Sequence, residues 1–443
     1  MKLADFNLWL DNYLNFEKKP EKNIFWLDTM KFLCATFNHP EQKIKCIHVA
    51  GSKGKGSTAK MIACILKEHG FKTGIYTSPH ILDFRERISS ADGFFDDEIY
   101  SKSADQIVEK ISAMKLSDFP GERPLTWFEL VTLFAMLCFV NAQCDFVVYE
   151  VGLGGRLDAT NVVLPEVSCI SRIELEHTEF LGNTVELIAA EKGGIIKEKV
   201  PVVISSQEES VKEVFRKIAA EKNAPLYFTD EISNIKSSLK GKKEKVSLLS
   251  KEFSRKLKFS LKMPGSFQAE NAALACLAVK KAVPQITEKE IESGLEKAFL
   301  PARFEITEKV KKFTKIKALV FDGAHTVKSV NFTMETFNSV FKQKKYTRHL
   351  LFACAADKYA EDIAKVFKNQ FDFITLTKPG CIKQSDLPRL EKAFKSENIP
   401  FKIDSDYKNA IKTSLENANE KKAVLLVTGS FYLVSEVEKI LCD

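Results

Sequence analysis

Cys46–Thr58 reads CIHVAGSKGKGST. A short apolar run, Ile47 to Ala50, leads into a loop that holds Gly51, Gly54 and Gly56, Lys55, and the hydroxyls of Ser52, Ser57 and Thr58. Met61, Ile62, Ile65 and Leu66 then recur at helix spacing. Strand, glycine-rich turn, lysine, hydroxyls, helix is the order of a loop that cradles phosphate. Glycines let backbone N–H groups approach phosphate oxygens, and the helix N-terminus adds roughly half a positive charge. A lysine reaches the β/γ-phosphates and a hydroxyl reaches magnesium. The spacing departs from the usual G-x-x-x-x-G-K-S/T, because Gly56 separates Lys55 from Ser57.

Outward from this loop, apolar runs and amphipathic segments alternate. Strands are predicted at 46–50, 73–77, 145–151, 167–173 and 202–205, and helices near 57–69, 127–141, 183–197 and 208–222. That alternation predicts an α/β fold: an N-terminal parallel sheet of P-loop type with helices on both faces. Residues 230–262 are rich in Lys and Ser with short apolar runs, and read as small antiparallel strands. Helices follow near 267–281 and 288–299. A second, smaller α/β series of Rossmann-like pattern begins after Pro301, with strands at 318–321, 350–353, 373–376 and 424–427. The expected domains are 1–296 and 303–443, joined near 297–302.

Composition narrows the function classes. The chain has 443 residues, a net charge of +7 and ten scattered cysteines without a C-x-x-C pair. The thiols read as reduced, in a cytoplasmic protein. The positive balance could favour anionic substrates, though solvated lysine faces are the simpler reading, and with no arginine-rich arm it does not point to nucleic acid. The most apolar segment, Leu125 to Val140, is interrupted by Glu129 and is short for a membrane span, so it reads as a buried helix. The first residues, MKLADFNLWLDNYL, lack a signal-peptide layout. No short repeat argues for an array, and a monomer is the expected state.

Further motifs lie at strand ends. Thr77-Ser78-Pro79-His80 follows one strand and is succeeded by FRERI (84–88). Glu150 ends another, before GLGGRLDATN (152–161), and His177 follows a third, before EKGGIIK (191–197). Phosphoryl chemistry needs hard oxygen ligands for magnesium, and a carboxylate at a strand's C-terminal end is a natural one. Singly, Glu150 also reads as a solvated acid and His177 as a hydrogen-bonded loop residue.

Taken together with PARFE (301–305), DGAH (322–325) and TGSFYLVSEV (428–437), these motifs resemble the folylpolyglutamate synthase/dihydrofolate synthase family, within the Mur-ligase superfamily. The resemblance covers nearly the whole chain in family order. It implies an ATP-dependent amide ligase that activates a folate or dihydropteroate carboxylate as an acyl phosphate and joins it to L-glutamate. By the same resemblance Lys55 neutralises the β/γ-phosphates, within a nucleotide set of Gly51, Ser52, Gly54, Gly56, Ser57, Thr58, Asn271, Arg303 and Asp322. Ser57, Ser78, Glu150 and His177 correspond to magnesium ligands, with Ser78 and His177 at a second metal position. Lys192 matches the family's carbamylated lysine. His325 and Ser430 fall on the glutamate side, and Thr126, Phe128, Leu157, Asp158 and Ala159 at the pterin end.

The chain departs from the family pattern at several places. Ser52 and Lys53 stand for Thr and Asn, Glu176 for Asp, Phe267 for His, Gly193 for Ala, Ala302 for Gly, and Thr326-Val327 for Asn-Pro. None removes Lys55 or a metal ligand. Two other readings compete: a Mur-type ligase joining an amino acid to a UDP-sugar, and a nucleotide-binding regulatory protein that hydrolyses ATP without ligation. TSPH with FRERI, and GLGGRLDATN, favour a folate over the first. The joint presence of Glu150, His177, Lys192 and DGAH argues against the second.

Overall fold

The computed structural model describes residues 1–15, 26–343, 345–356, 358–381 and 383–442. Three sheets organise it. The first contains β1 (Lys45–Ala50), β2 (Thr73–Tyr76), β3 (Ile88–Ser90), β4 (Phe146–Glu150), β5 (Val167–Ile170), β6 (Val202–Ile204) and β7 (Leu226–Phe228), in the order β3-β2-β4-β1-β5-β6-β7. All neighbours are parallel except the edge pair β2 and β3. The chain leaves β1 toward one side and later returns to its other side, so a crevice opens at the C-terminal end of β1. The glycine-rich loop emerges there, flanked by the ends of β4 and β5. Apolar cores cover both faces of this sheet.

Lys- and Ser-rich residues 233–261 form the expected antiparallel sheet, β8 (Ser233–Lys240), β9 (Lys243–Ser250) and β10 (Leu257–Leu261). The third sheet holds β11 (Glu305–Thr307), β12 (Ala318–Phe321), β13 (Arg348–Phe352), β14 (Phe373–Leu376), β15 (Lys402–Ile403) and β16 (Val424–Thr428). Its order is β11-β12-β16-β13-β14-β15, parallel but for β11. The fold is thus α/β, with a parallel N-terminal sheet and a separate C-terminal one.

The apolar helix is Trp127–Asn141, largely buried as its composition requires. Glu129, the acid that interrupts the run, starts it. Its carboxylate accepts from the Thr126 N–H (2.8 Å) and hydroxyl (2.7 Å), while its own N–H donates to Thr126 Oγ1. This reciprocal cap satisfies two N–H groups that the helix end leaves unpaired. Among the described residues, no helix is long and apolar enough to cross a membrane, and no cysteine is disulfide-bonded.

The two domains touch at several points. Lys328 pairs with Glu174 at 3.2 Å, Lys242 with Glu308, and the rings of Phe267 and Phe332 lie 5.7 Å apart. Glu438, on the C-terminal helix Phe431–Cys442, is pushed up to about 7 by burial and by the facing carboxylates of Glu305 and Glu86. The folded state therefore holds a proton that the unfolded chain has released. Stability falls as pH rises from the ordinary carboxyl range through about 7, and the penalty is complete above that. Glu438→Gln is expected to match wild type in melting temperature near pH 5 and to exceed it near pH 8, by about 2 °C or more. Scanning calorimetry at the two pH values checks this; an equal offset at both would mean that Glu438 does not titrate there.

Candidate active site

The helix Lys55–Glu68 begins at the loop itself, two residues before the expected start, so Lys55 occupies its first turn. Gly54 stands just before it at φ +88° with no side chain to cap it, and a Cβ there would stand 2.2 Å from Asn271 Oδ1. Only glycine lets the loop pass this close to the neighbouring helix. No acid sits in the helix's first turn, so its positive end is not neutralised from within. The loop is clipped from behind. Ser52 and Lys53 N–H groups donate to the Arg172 carbonyl at 3.0 and 3.3 Å, and the Ser52 hydroxyl donates to the Glu174 carbonyl at 3.0 Å. Gln268 donates to Ser57 Oγ at 3.3 Å and accepts from Asn271 at 3.0 Å, tying Ser57 and Asn271 into one network.

Glu150, at the end of β4, is buried, and one oxygen would lie 3.3 Å from a Cβ on Gly56. It accepts the Ser78 N–H at 3.0 Å. Burial raises its pKa against the pull of Lys55, that N–H and Arg303. The site thus presents a carboxylate that gains by acquiring a cation. His177 is brought down to about 4, chiefly by burial, and so offers a neutral imidazole. Among the described residues no three carboxylate, imidazole or thiol groups stand close enough to hold a metal alone. A magnesium ion fits this donor set if hydroxyls, phosphate oxygens and water complete it, the arrangement that hard, reluctantly dehydrated ion favours.

Lys192 lies behind the loop, 1% exposed. Its ammonium donates to the Gly51 carbonyl at 2.9 Å and to Glu176 at 3.1 Å. Lys55 donates to the same carbonyl at 3.0 Å. Burial lowers Lys192 to about 8, with Glu176 opposing. Burial works to raise Glu176, yet the ammoniums of Lys192, Lys55 and Lys53 hold it well below the usual carboxylate range.

The C-terminal domain closes the other side. Asp322, just past β12, accepts from the Phe304 and Ala324 N–H groups (2.8 and 2.9 Å) and from the Thr333 hydroxyl (3.0 Å). The Arg303 guanidinium lies 4.2 Å from the centre of the Phe431 ring. Ala302 and Phe304 on either side of it take φ of +55° and +50°. This left-handed conformation costs an L-residue with a side chain about 1–2 kcal/mol. Glycine at the first of them would not carry that cost. Here the Ala302 N–H donates to Glu305 and its carbonyl accepts from Gly323. His325 donates Nδ1–H to the Gly323 carbonyl at 2.8 Å, which leaves the Nε2 lone pair free of that bond. Burial brings it down to about 3, so it is neutral at physiological pH.

One cleft therefore brings together Ser52, Gly54, Lys55, Gly56, Ser57, Ser78, Glu150, His177, Asn271, Arg303, Asp322, His325 and Ser430. Gly51, Thr58 and Lys192 stand behind its wall. None of the residues expected at the pterin end lines the cleft. Asp158 accepts from Gly152, Leu153 and Thr160 and shapes the loop 152–161. Phe128 packs over Gly152, a cleft residue. Thr126 is the helix cap already described; Leu157 and Ala159 flank Asp158. Sequence reasoning passed over Arg172, Glu174, Lys358, Lys383 and Phe332, which also line the cleft. The first four follow the C-terminal ends of β5, β13 and β14, a position that was a usable signal.

The Mur ligase middle domain family matches residues 49–279, and the Mur ligase, glutamate ligase domain family matches 302–431. The chain is 32% identical to the dihydrofolate synthase/folylpolyglutamate synthase of Bacillus subtilis, over 98% of both chains. It is 29% identical to the folylpolyglutamate synthase of Lacticaseibacillus casei, over 92% of both. Among solved structures it resembles the folylpolyglutamate synthase of Thermotoga maritima, with TM-score 0.82 and 29% identity over 99% of this chain and 96% of that one. It also resembles a folylpolyglutamate synthase solved with AMPPCP and folate, with TM-score 0.82 and 25% identity over the whole of both chains.

Proposed function

We infer from the membership of this chain in the folylpolyglutamate synthase/dihydrofolate synthase family of Mur ligases that its cleft makes an amide bond at the expense of ATP. The chain is an ATP-dependent ligase that adds L-glutamate to a folate. The observation that carries the reading is the meeting, in one cleft, of the phosphate loop with Glu150 on one side and Asp322, Arg303 and His325 on the other.

The chemistry runs in two steps. A folate carboxylate oxygen attacks the γ-phosphorus, the bond to ADP breaks, and an acyl phosphate forms. The glutamate α-amine then attacks the carbonyl carbon, and phosphate leaves. Lys55 and the uncapped helix end bear the triphosphate charge, and Arg303 approaches from the facing domain. Ser57 and Glu150, with Ser78 and His177 at a second position, would hold magnesium, which would supply charge neutralisation at the phosphates. His325 offers Nε2 to take the proton the amine must lose, and Ser430 borders the same side. A closed cleft keeps water from the acyl phosphate.

Several finer assignments belong with this reading. We place the pterin end against Phe128 and the loop of Leu157, Asp158 and Ala159, near Thr126. We place the domain boundary at 297–302, the protein in the cytoplasm, and the enzyme as a monomer. We propose that Lys192 is carbamylated in the active enzyme, since a pKa near 8 leaves a reactive amine fraction at physiological pH. Labelled bicarbonate should then give a carbamate resonance that Lys192→Ala loses; a spectrum without one rejects the modification.

Incubation with ATP, L-glutamate and tetrahydrofolate should release ADP only when glutamate is present. ADP release without glutamate would support a plain ATPase, and release only with a UDP-sugar acceptor would support the other Mur-type activity. Dihydropteroate, offered as a separate acceptor, is expected to give dihydrofolate as a second product. Absence of that product would confine the enzyme to polyglutamylation.

A further inference from the structure

Residues 77–83 connect β2 to the helical turn Phe84–Arg87, and they are held at both ends. At one end the Ser78 N–H donates to Glu150. At the other, the Glu86 carboxylate accepts the N–H groups of Ile81, Leu82 and Asp83 at 2.6, 2.8 and 2.9 Å. Arg87 donates to His80 Nδ1 at 2.8 Å and lies 4.9 Å from the Trp127 ring centre. Between these anchors, the side chain of Ile81 leaves its own domain. It is 7% exposed and belongs to the apolar cluster of the C-terminal domain, with Leu319, Phe321, Leu433, Val434 and Val437. Among the described residues, every other buried member of that cluster lies beyond residue 300.

This loop begins at a proposed metal ligand and holds the buried carboxylate beside the phosphate loop. Its apolar tip is seated in the domain that carries Arg303, Asp322 and His325. We propose that Ile81 is a positioning residue that couples docking of the C-terminal domain to the placement of Ser78 and Glu150. Seated, it fixes the loop so that the Ser78 N–H meets Glu150. Unseated, the loop keeps its bonds to Glu86 and Arg87, and the Ser78 N–H no longer meets Glu150. Phosphoryl transfer is then competent only when the cleft is closed, which is when the acyl phosphate is protected. The inference rests on the ligase reading above.

The test uses the full chain and the variants Ile81→Ala, Ile81→Val and Val437→Ala. Truncation of Ile81 to alanine should lower kcat about tenfold or more at saturating substrates while KM for ATP moves less than about threefold. Amide exchange at Ser78 should rise while the phosphate-loop helix keeps its protection. Ile81→Val, which still fills the cluster, should keep kcat within about threefold. Val437→Ala loosens the same cluster from the other domain, and the double variant should lose less than the product of the single losses. The proposal fails if Ile81→Ala keeps kcat within about twofold. It fails equally if alanine and valine behave alike, or if the single losses multiply. Should Ile81→Ala not fold, Val437→Ala and Ile81→Val decide alone: a kcat loss confined to the former supports the coupling. A wild-type chain with no glutamate-dependent ADP release would defeat the ligase reading instead, while loop exchange in the variants still reports the coupling.

Discussion

Lys55→Ala abolishes glutamate-dependent ADP formation, by expectation roughly a hundred- to a thousandfold, the range for removing one charge-stabilising group from a preorganised site. The loop's other lysine is committed: Lys53 stands 3.5 Å from Glu176 and would have to abandon it to reach the γ-phosphate. The fold should be indifferent, because among the described residues the Lys55 side chain makes a single hydrogen bond, to Gly51, and is not fully buried. Steady-state ADP release and a melting curve on the same preparation check both halves. Retention of more than about a tenth of wild-type kcat, a cost below roughly 1.4 kcal/mol, would move the role to Lys53.

Glu150→Gln gives the second large effect, with activity and stability moving apart. Glutamine keeps an oxygen to accept the Ser78 N–H but cannot bear the charge that magnesium needs. Turnover is expected to fall at least about a hundredfold. Burial raises the Glu150 pKa, so folding without ligand penalises its ionised form relative to the unfolded chain. That penalty is absent below the unfolded pKa and grows as pH rises through the folded one. The variant should thus melt no lower than wild type near pH 8. A variant that is fully active, or inactive only because it unfolds, would remove Glu150 from the metal site.

The phosphate loop and most strands were legible because their signals are local: Ile47–Ala50 is continuous and apolar, and the glycines beside Lys55 have few other uses. The α/β class followed from alternation alone. Edge strands β3 and β11 were not legible. They are three residues long, half-exposed, and defined by hydrogen bonds to β2 and β12 rather than by any pattern of their own. The helix start at Lys55 was misplaced by two residues, since lysine and glycine are unremarkable in a first turn until the loop geometry is known. No local signal marks Ile81, because the cluster it joins lies more than two hundred residues away. Asp322, His325 and Arg303 were tied to the loop by family resemblance, and only folding puts them across a cleft from Lys55.

The backbone around Arg303 bears on how this chain can drift over generations. Two left-handed residues that are not glycine bracket that arginine. Valine, isoleucine or threonine at 302 or 304 would be close to forbidden there, whereas glycine or asparagine would relieve the strain. Solvated lysines elsewhere can be exchanged at little cost. This tripeptide cannot, although neither Ala302 nor Phe304 supplies a catalytic group. A lineage could therefore lose the arginine's aim through a change at its neighbour, and a search confined to ligand-contacting positions would miss the cause.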